Sequence, residues 1–199
     1  ERVLQIFRAV GIPEPEKRYR CYPHQLSGGL RQRVMIGMAM VCRPKVMIAD
    51  EPTTALDVTI EAQILQLMRR VCEEQGTSVI LITHNMGVVA EVCDYVYVMY
   101  AGKVMEQAET FELFGETEHP YTQGLLRSIP KLDEKAHRLY TIEGVVPNLL
   151  HLPKGCNFCT RCEEATERCW REKPCLYQTR EGHGVRCFKY ESEVQLDGE

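Results

Sequence analysis

Residues 46–57 read Val-Met-Ile-Ala-Asp-Glu-Pro-Thr-Thr-Ala-Leu-Asp. The stretch begins as a short apolar β-strand and places two adjacent carboxylates, Asp50 and Glu51, at the strand's C-terminal end. In α/β sheets this edge is where ligands bind. Asp50 suits a magnesium ion, which proteins hold through one or two carboxylates together with phosphate oxygens and water. Glu51 suits a general base that acts on a hydrolytic water, although Asp-Glu alone is also common as a solvated acidic turn.

The sequence on either side of this strand predicts the fold class. Residues 58–75 have the apolar spacing of a long amphipathic helix, and Gly76 follows them as a helix stop. Residues 78–83 form a second apolar strand and residues 94–100 a third. Strands that alternate with helices and are apolar on both faces predict an α/β fold with a mainly parallel sheet covered by helices.

His84 directly follows the second apolar strand. We therefore expect it at the same sheet edge as the two carboxylates, where its ring can hydrogen-bond a terminal phosphate. A lone histidine after a strand is more often a structural capping residue.

Residues 26–33 read Leu-Ser-Gly-Gly-Leu-Arg-Gln-Arg. Ser27 stands where a helix N-cap is expected, and Gly28 and Gly29 let the backbone approach an anion closely. Free backbone N–H groups, a hydroxyl and the positive end of the helix dipole together suit a phosphate. For Ser-Gly-Gly alone, a capped helix with a tight entry turn is the commoner explanation.

Composition excludes several classes of protein. The chain has 199 residues, 44% hydrophobic and 26% charged, which is typical of a globular rather than a disordered protein. A net charge of -4 lacks the basic footprint of nucleic-acid binding, so no nucleic-acid partner is expected. Apolar runs are far shorter than the ~20 residues that cross a bilayer. No secretory signal is visible, so any link to a membrane is expected to run through a partner protein.

The motifs, taken in order, resemble the ABC ATPase family. Residues 26–33 are similar to the signature motif, Asp50-Glu51 to the end of the Walker B strand, and residues 55–57 to the D-loop. His84 is similar to the switch histidine, and the resemblance covers residues 20–107. It implies part of a P-loop NTPase fold that uses ATP and Mg²⁺.

Family resemblance also implies a role for each matched residue. ATP is expected between two such subunits, with residues 27–29 contacting the nucleotide held by the opposite subunit. The implied catalytic residues are Glu51 and His84, and Asp50 is the implied magnesium ligand. The implied nucleotide-binding residues are Ser27, Gly28, Gly29, Gln32, Asp50 and Asp57.

A phosphate-cradling Gly-x-x-x-x-Gly-Lys-Ser/Thr loop is missing from the sequence, because Gly102-Lys103 is followed by valine and lacks the upstream glycine. The chain is therefore expected to be a C-terminal fragment of a longer ATPase. The fragment alone is predicted to be inactive.

The second half of the chain resembles the C-terminal extension of oligopeptide, dipeptide and nickel importer ATPases. The similarity lies in residues 119–130 and in residues 155–187. We expect an ATPase part at residues 1–107 and a small, loop-rich extension at residues 108–199. The resemblance implies an ATP-hydrolysing subunit of a di- or oligopeptide importer. Open alternatives are a nickel importer ATPase, a soluble non-transport ABC ATPase, and a metal- or redox-sensing module with a vestigial ATPase part.

The chain has ten cysteines, and six of them lie between Cys156 and Cys187. In a reducing compartment clustered thiols favour metal over disulfides. Family resemblance implies an iron–sulfur cluster, with four ligands that map onto this sequence. The implied ligands are Cys156, Cys162, Cys169 and Cys187. Cys159 and Cys175 depart from the family pattern, and a structural zinc or unmetallated thiols remain as alternatives.

The resemblance also implies an assembly. Its members are a second ABC ATPase subunit, identical or different, two transmembrane permease subunits and an extracytoplasmic substrate-binding protein. The expected location is the cytoplasmic face of the cell membrane, as a peripheral subunit.

Overall fold

The computed structural model describes residues 1–54, 56–129 and 140–196. The chain divides into two compact units, Glu1–His84 and Asn85–Glu199. Among the residues described, no helix is both long enough and apolar enough to cross a membrane.

The first unit contains one parallel strand pair and four helices. Its elements in order are α1 (Arg2–Ala9), α2 (Pro15–Arg18), a 3-10 turn (Pro23–Gln25), α3 (Gly28–Met40), β1 (Val46–Asp50), α4 (Val58–Gln75) and β2 (Ser78–Ile82). β1 and β2 pair in parallel, with Val46 opposite Ser78 and Asp50 opposite Ile82. Both strands therefore end at the same edge.

The core of the first unit lies where α1, α3 and α4 pack together with β1. Val10, Met40, Ile64 and Val71 are completely buried there. α4 ends at Gly76, whose φ of 65° is the left-handed conformation that glycine adopts without a steric penalty. The length and bounds of α4 are those that the sequence predicts.

The second unit is built on an antiparallel sheet. Its elements in order are α5 (Met86–Val92), β3 (Tyr95–Tyr100), β4 (Lys103–Glu109), α6 (Thr110–Gly115), α7 (Pro120–Arg127), α8 (Glu167–Arg171), β5 (Tyr177–Arg180), β6 (His183–Val185), a 3-10 turn (Phe188–Tyr190) and β7 (Val194–Gln195). The strand order is β3-β4-β6-β5-β7, and every neighbouring pair is antiparallel.

The α/β prediction is confirmed by the parallel pairing of β1 with β2. The sequence pattern did not reveal that β3 belongs to a second, antiparallel sheet. β4 and β6 lie about 80 residues apart in the chain, and no local pattern signals a pairing of that range. The boundary predicted at residues 107 and 108 falls within β4.

Candidate functional sites

The C-terminal edge of the β1–β2 pair brings the predicted base and the predicted histidine together. Glu51 directly follows β1, and His84 lies two residues after β2. Nδ1 of His84 donates a 2.6 Å hydrogen bond to Oε1 of Glu51. The hydroxyl of Thr54 donates to the other carboxylate oxygen over 2.7 Å. Both oxygens of Glu51 are thus held, while its side chain remains 38% exposed.

Glu51 adopts a strained backbone conformation. Its φ is 47°, in the left-handed region that residues with a Cβ rarely occupy. Its N–H donates to the carbonyl of Ile82 over 2.9 Å, and its carbonyl accepts from the N–H of Thr54. These bonds stabilise the turn against the strain. Such strain is concentrated at functional sites, where it aims a side chain.

Hydrogen bonding keeps Glu51 ionised. The bond from His84 lowers the pKa of Glu51 most, and the bond from Thr54 lowers it further. A carboxylate must be ionised to accept a proton from water, so this environment suits a general base at neutral pH.

The other two predicted carboxylates, Asp50 and Asp57, lie on either side of Glu51 in the chain. Asp50 is the last residue of β1, and its side chain is exposed at the sheet edge. Asp57 is the exposed N-cap residue of α4 and makes no side-chain capping bond. Thr53 donates a 2.7 Å hydrogen bond to Glu61 on α4, which fixes the turn between the two carboxylates.

Ser27 caps α3 as the sequence predicts. Its hydroxyl accepts the N–H of Leu30 over a long 3.4 Å, so the cap is weak and the side chain stays exposed. Gly28 and Gly29 form the start of the helix. A Cβ on Gly29 would lie 3.1 Å from Ile60 on α4, which leaves little room for a larger residue. Gln32, one turn further along, is half-buried.

A cavity of about 300 Å³ in the second unit collects five thiols. The cysteines that line it are Cys156, Cys159, Cys162, Cys169 and Cys187. They include all four of the ligands implied by resemblance. The fifth is Cys159, which departs from the family pattern. Cys175 is absent from this lining. Within residues 1–54, 56–129 and 140–196, no group of three or more His, Cys, Asp or Glu side chains converges on a single-ion site.

Backbone contacts shape the cysteine cavity. The N–H of Cys156 donates to the carbonyl of Cys169 over 2.8 Å, and the hydroxyl of Thr166 lies 3.3 Å from the Cys169 sulfur. At Gly155 an added Cβ would lie 2.2 Å from the Cys169 carbonyl oxygen, so only glycine fits. Phe158 anchors the loop, because its ring packs against the rings of Tyr100, Tyr121 and His119.

Burial favours the protonated form of these thiols. It raises the pKa of Cys156 and that of Cys162 to about 11, and it also raises the pKa values of Cys159 and Cys187. Backbone N–H groups oppose the effect at three of these thiols: that of Phe158 at Cys156, that of Thr160 at Cys159 and that of Lys189 at Cys187. Such N–H donors stabilise thiolates, the form that binds metals.

The second unit also contains a buried glutamate–histidine pair that the sequence analysis does not predict. Nε2 of His183 lies 3.0 Å from Oε1 of Glu106, and both side chains are fully buried. Glu106 also accepts the backbone N–H groups of Glu118 and His119. The available signal was a glutamate at an inward-facing position of an otherwise amphipathic strand.

Comparisons with known proteins identify both halves of the chain. Residues 1–54 match the model of the ABC transporter family, and residues 105–169 match the model described as oligopeptide/dipeptide transporter, C-terminal region. The chain belongs to the ABC transporter family.

The chain is similar to curated oligopeptide transport ATP-binding proteins. The chain is 51% identical over 193 residues to the oligopeptide transport ATP-binding protein AppD of Bacillus subtilis, which covers 97% of this chain and 59% of that protein. It is 50% identical over 194 residues to OppD, the oligopeptide transport ATP-binding protein of Salmonella typhimurium, with coverage of 98% and 58%. The chain therefore spans less than two thirds of these relatives' length.

A solved structure supports the same assignment. The cbiO1 protein of Clostridium perfringens, part of the ABC transporter complex cbiONQ, aligns with a TM-score of 0.52 at 36% identity. The alignment covers 59% of this chain and 45% of that one.

Proposed function

We propose that this chain is part of the ATP-binding and ATP-hydrolysing subunit that energises an ABC importer of di- or oligopeptides. The observation that carries the proposal is the hydrogen bond between Glu51 and His84 at the sheet edge, beside the exposed Asp50. A base, a polar ring and a hard oxygen ligand meet where a hydrolytic water and a magnesium-bound phosphate need them.

Each residue has a role in this proposal. Glu51 accepts the proton of the attacking water, and the Nδ1–H of His84 orients the Glu51 carboxylate. Asp50 fits Mg²⁺, since its carboxylate is exposed at the edge where α/β folds bind ligands. Bound nucleotide and Mg²⁺ supply the charge-neutralised phosphoryl group on which the water acts.

The start of α3 serves the nucleotide of a second ATPase subunit. Ser27 is exposed and its capping bond is long, so its hydroxyl can turn to an anion at small cost. Gly28, Gly29 and the first N–H groups of α3 supply further donors. Gln32 and Asp57 complete the proposed nucleotide contacts.

Peptide is the proposed cargo class because AppD and OppD are both oligopeptide transport ATP-binding proteins. The proposed assembly has two ATPase subunits, two transmembrane permease subunits and a substrate-binding protein outside the membrane. The chain then acts from the cytoplasmic face as a peripheral subunit. Residues 1–107 are assigned to ATP chemistry and residues 108–199 to the importer-type extension.

The cysteine cavity is proposed to hold an iron–sulfur cluster. Its donors fit, since thiolates are the ligands that such clusters prefer. Its volume of about 300 Å³ is also about ten times the roughly 30 Å³ that one water occupies in the liquid. A group of several atoms fills this space better than one zinc ion, whose four sulfurs converge to about 2.3 Å from the metal.

Reconstitution tests the proposed function. The whole protein, assembled with its membrane subunits in lipid vesicles, should hydrolyse ATP faster when its binding protein carries a short peptide. Nickel ions in place of peptide are the matched comparison. Stimulation by nickel but not by peptides would contradict the cargo assignment, and hydrolysis without any membrane subunit dependence would contradict the transport role.

A further inference from the structure

Two side chains hold the Glu51 carboxylate, and they reach it from the ends of different strands. His84 follows β2 and donates to Oε1 over 2.6 Å, whereas the hydroxyl of Thr54 follows β1 and donates to Oε2 over 2.7 Å. The hydroxyl contact has the usual length of a hydrogen bond between two oxygens. Family resemblance implies a role for His84 but none for Thr54. Thr54 is nevertheless in equally direct contact with the proposed base.

A glutamate carboxylate turns easily about its last side-chain bond. That torsion has a broad, roughly two-fold preference instead of three narrow wells, so a single hydrogen bond leaves the plane of the carboxylate poorly defined. Two donors on different oxygens define this plane. The two oxygens of a carboxylate accept at about four positions in all, so Glu51 keeps acceptor positions for a water.

Thr54 is itself fixed by the turn that carries it. Its N–H donates to the carbonyl of Glu51 over 3.2 Å, so its main chain and its side chain both bond to the same residue. Two heavy atoms on the threonine Cβ also restrict the first side-chain torsion. The turn is tied to α4, because the hydroxyl of Thr53 donates to Glu61 over 2.7 Å. The Thr54 donor therefore meets Glu51 with little freedom of its own.

The contact between Thr54 and Glu51 contributes little to folding. Thr54 is exposed and Glu51 is partly exposed, so water can replace either partner when the bond is lost. A bond that adds little stability but restricts one carboxylate serves the chemistry of that carboxylate.

We propose that Thr54 is a positioning residue for ATP hydrolysis, whose hydroxyl holds the Glu51 carboxylate in the orientation that accepts a proton from the attacking water. The inference rests on the role of Glu51 proposed above. Orientation matters because a general base must lie within hydrogen-bond reach of the proton that it removes, at about 2.6–3.2 Å between heavy atoms. Thr54 acts through Glu51 and needs no contact with the nucleotide.

Three substitutions in the whole, assembled protein test this role. Thr54→Val keeps the branched shape and removes the donor, so kcat should fall roughly 3- to 30-fold, as expected for one exposed hydrogen bond to a carboxylate. KM for ATP and thermal unfolding should change little. Thr54→Ser keeps the donor and should recover most of the lost turnover. Thr59→Val is the matched control, since Thr59 is an exposed threonine on α4, and its turnover should equal that of the unsubstituted protein.

Coupling to Glu51 separates positioning from a general disturbance of the turn. In a Glu51→Gln background, Thr54→Val should lower the remaining turnover no further, because the group that Thr54 positions is already lost. An equal fall in both backgrounds would overturn the proposal. A raised KM with unchanged kcat would also overturn it, since Thr54 would then act in nucleotide binding. Thr54→Ala removes the same donor and replaces Thr54→Val if that variant does not fold.

Failure of the proposed base would look different. Near-normal hydrolysis in Glu51→Gln would refute the role of Glu51, and the positioning role of Thr54 with it. Slow hydrolysis in Glu51→Gln together with normal hydrolysis in Thr54→Val would keep Glu51 as the base and refute Thr54 alone.

Discussion

Among the described residues, each unit of the molecule contains a close glutamate–histidine contact, Glu51–His84 in the first and Glu106–His183 in the second, and the two differ in burial. In the first unit Glu51 and His84 lie 2.6 Å apart, with side chains 38% and 86% exposed. In the second unit Glu106 and His183 lie 3.0 Å apart, and neither is exposed. The same kind of contact therefore lies near water in the first unit and in the low-dielectric interior in the second. The strength of the electrostatic interaction differs between these two environments.

An exposed pair adds little to stability, because water and salt screen it and both side chains lose freedom. Its use is to hold a carboxylate where a ligand can reach it. A buried pair is different, since removing one partner leaves the other charged group without solvent or counter-ion. We therefore assign the first pair to chemistry and the second to the fold.

The largest expected effect is on turnover. Replacing Glu51 by glutamine in the whole, assembled protein removes the proposed base, and ATP hydrolysis should fall by roughly 10²–10⁴, the usual contribution of a positioned general base. Thermal unfolding should change little, because the pair is exposed. Steady-state hydrolysis and calorimetry measure the two outcomes.

Glu73→Gln is the matched control for this substitution. Glu73 is also an exposed glutamate in an ion pair, with Arg69 at 2.9 Å, but it lies on α4 away from the sheet edge. ATP turnover by the Glu73→Gln variant should match that of the unsubstituted protein. Near-normal hydrolysis in Glu51→Gln would assign the base role elsewhere, with His84 as the next candidate.

Replacing Glu106 by alanine should have the opposite profile. It removes the partner of buried His183 and the acceptor of two backbone N–H groups, so the free energy of unfolding of the second unit should fall by about 3–5 kcal/mol. Chemical denaturation measures this loss. Glu109→Ala, an exposed change on the same strand, should cost far less. Equal losses would remove the distinction between the pairs.

The sequence predicts correctly the features that depend on local residue patterns or on a general rule of sheet topology. The span of α4 follows from its apolar spacing and from Gly76, and the cap of α3 follows from Ser27. The meeting of Glu51 with His84 follows from a general rule, because parallel neighbours end at the same edge. The first two features need only residues nearby in the chain, and the third needs only the rule for parallel strands.

The features that the sequence does not predict depend mainly on contacts between residues that are far apart in the chain. The pairing of β4 with β6, and with it the Glu106–His183 pair, joins segments about 80 residues apart. The family pattern does not include Cys159 among the implied ligands. The fold of the loop nevertheless brings Cys159 into the lining of the cavity. The contact of Thr54 with Glu51 depends on a strained turn, which no propensity signals.

The second unit also contains a position, Gly155, at which packing excludes a larger residue. An added methyl group would meet main-chain oxygens of Cys169 and Glu172, which cannot swing away as a side chain does. Gly155→Ala should therefore destabilise the second unit by about 1–3 kcal/mol and release any metal from the cysteine cavity. Gly115→Ala is the control, since nothing lies within 4 Å of its added Cβ. Unchanged unfolding and metal content in Gly155→Ala would show that the cavity tolerates movement of its walls.

The smallest expected effect is the pH dependence of stability that the buried pair contributes. Burial lowers the pKa of His183, but hydrogen bonding to Glu106, the charges of Glu118 and Glu106, and hydrogen bonding to Glu112 outweigh it, so its pKa is raised overall. Arg180 faces the same carboxylates, at 3.2 Å from Glu118. Because the folded pKa lies above the unfolded value of about 6.5, protonated His183 stabilises the fold. That contribution is complete below about pH 6.5 and is lost as the pH rises through the raised pKa.

Denaturation of the whole protein at a series of pH values measures this loss, and His183→Gln should remove it. His151→Gln is the matched control, because His151 is an exposed histidine of the same unit and its replacement should leave the pH profile unchanged. If stability instead rose with pH through this window in the unsubstituted protein and not in His183→Gln, the histidine would be held neutral by burial. The buried pair would then be a neutral hydrogen bond to a carboxylate, and its contrast with the exposed pair of the first unit would be one of solvent access alone.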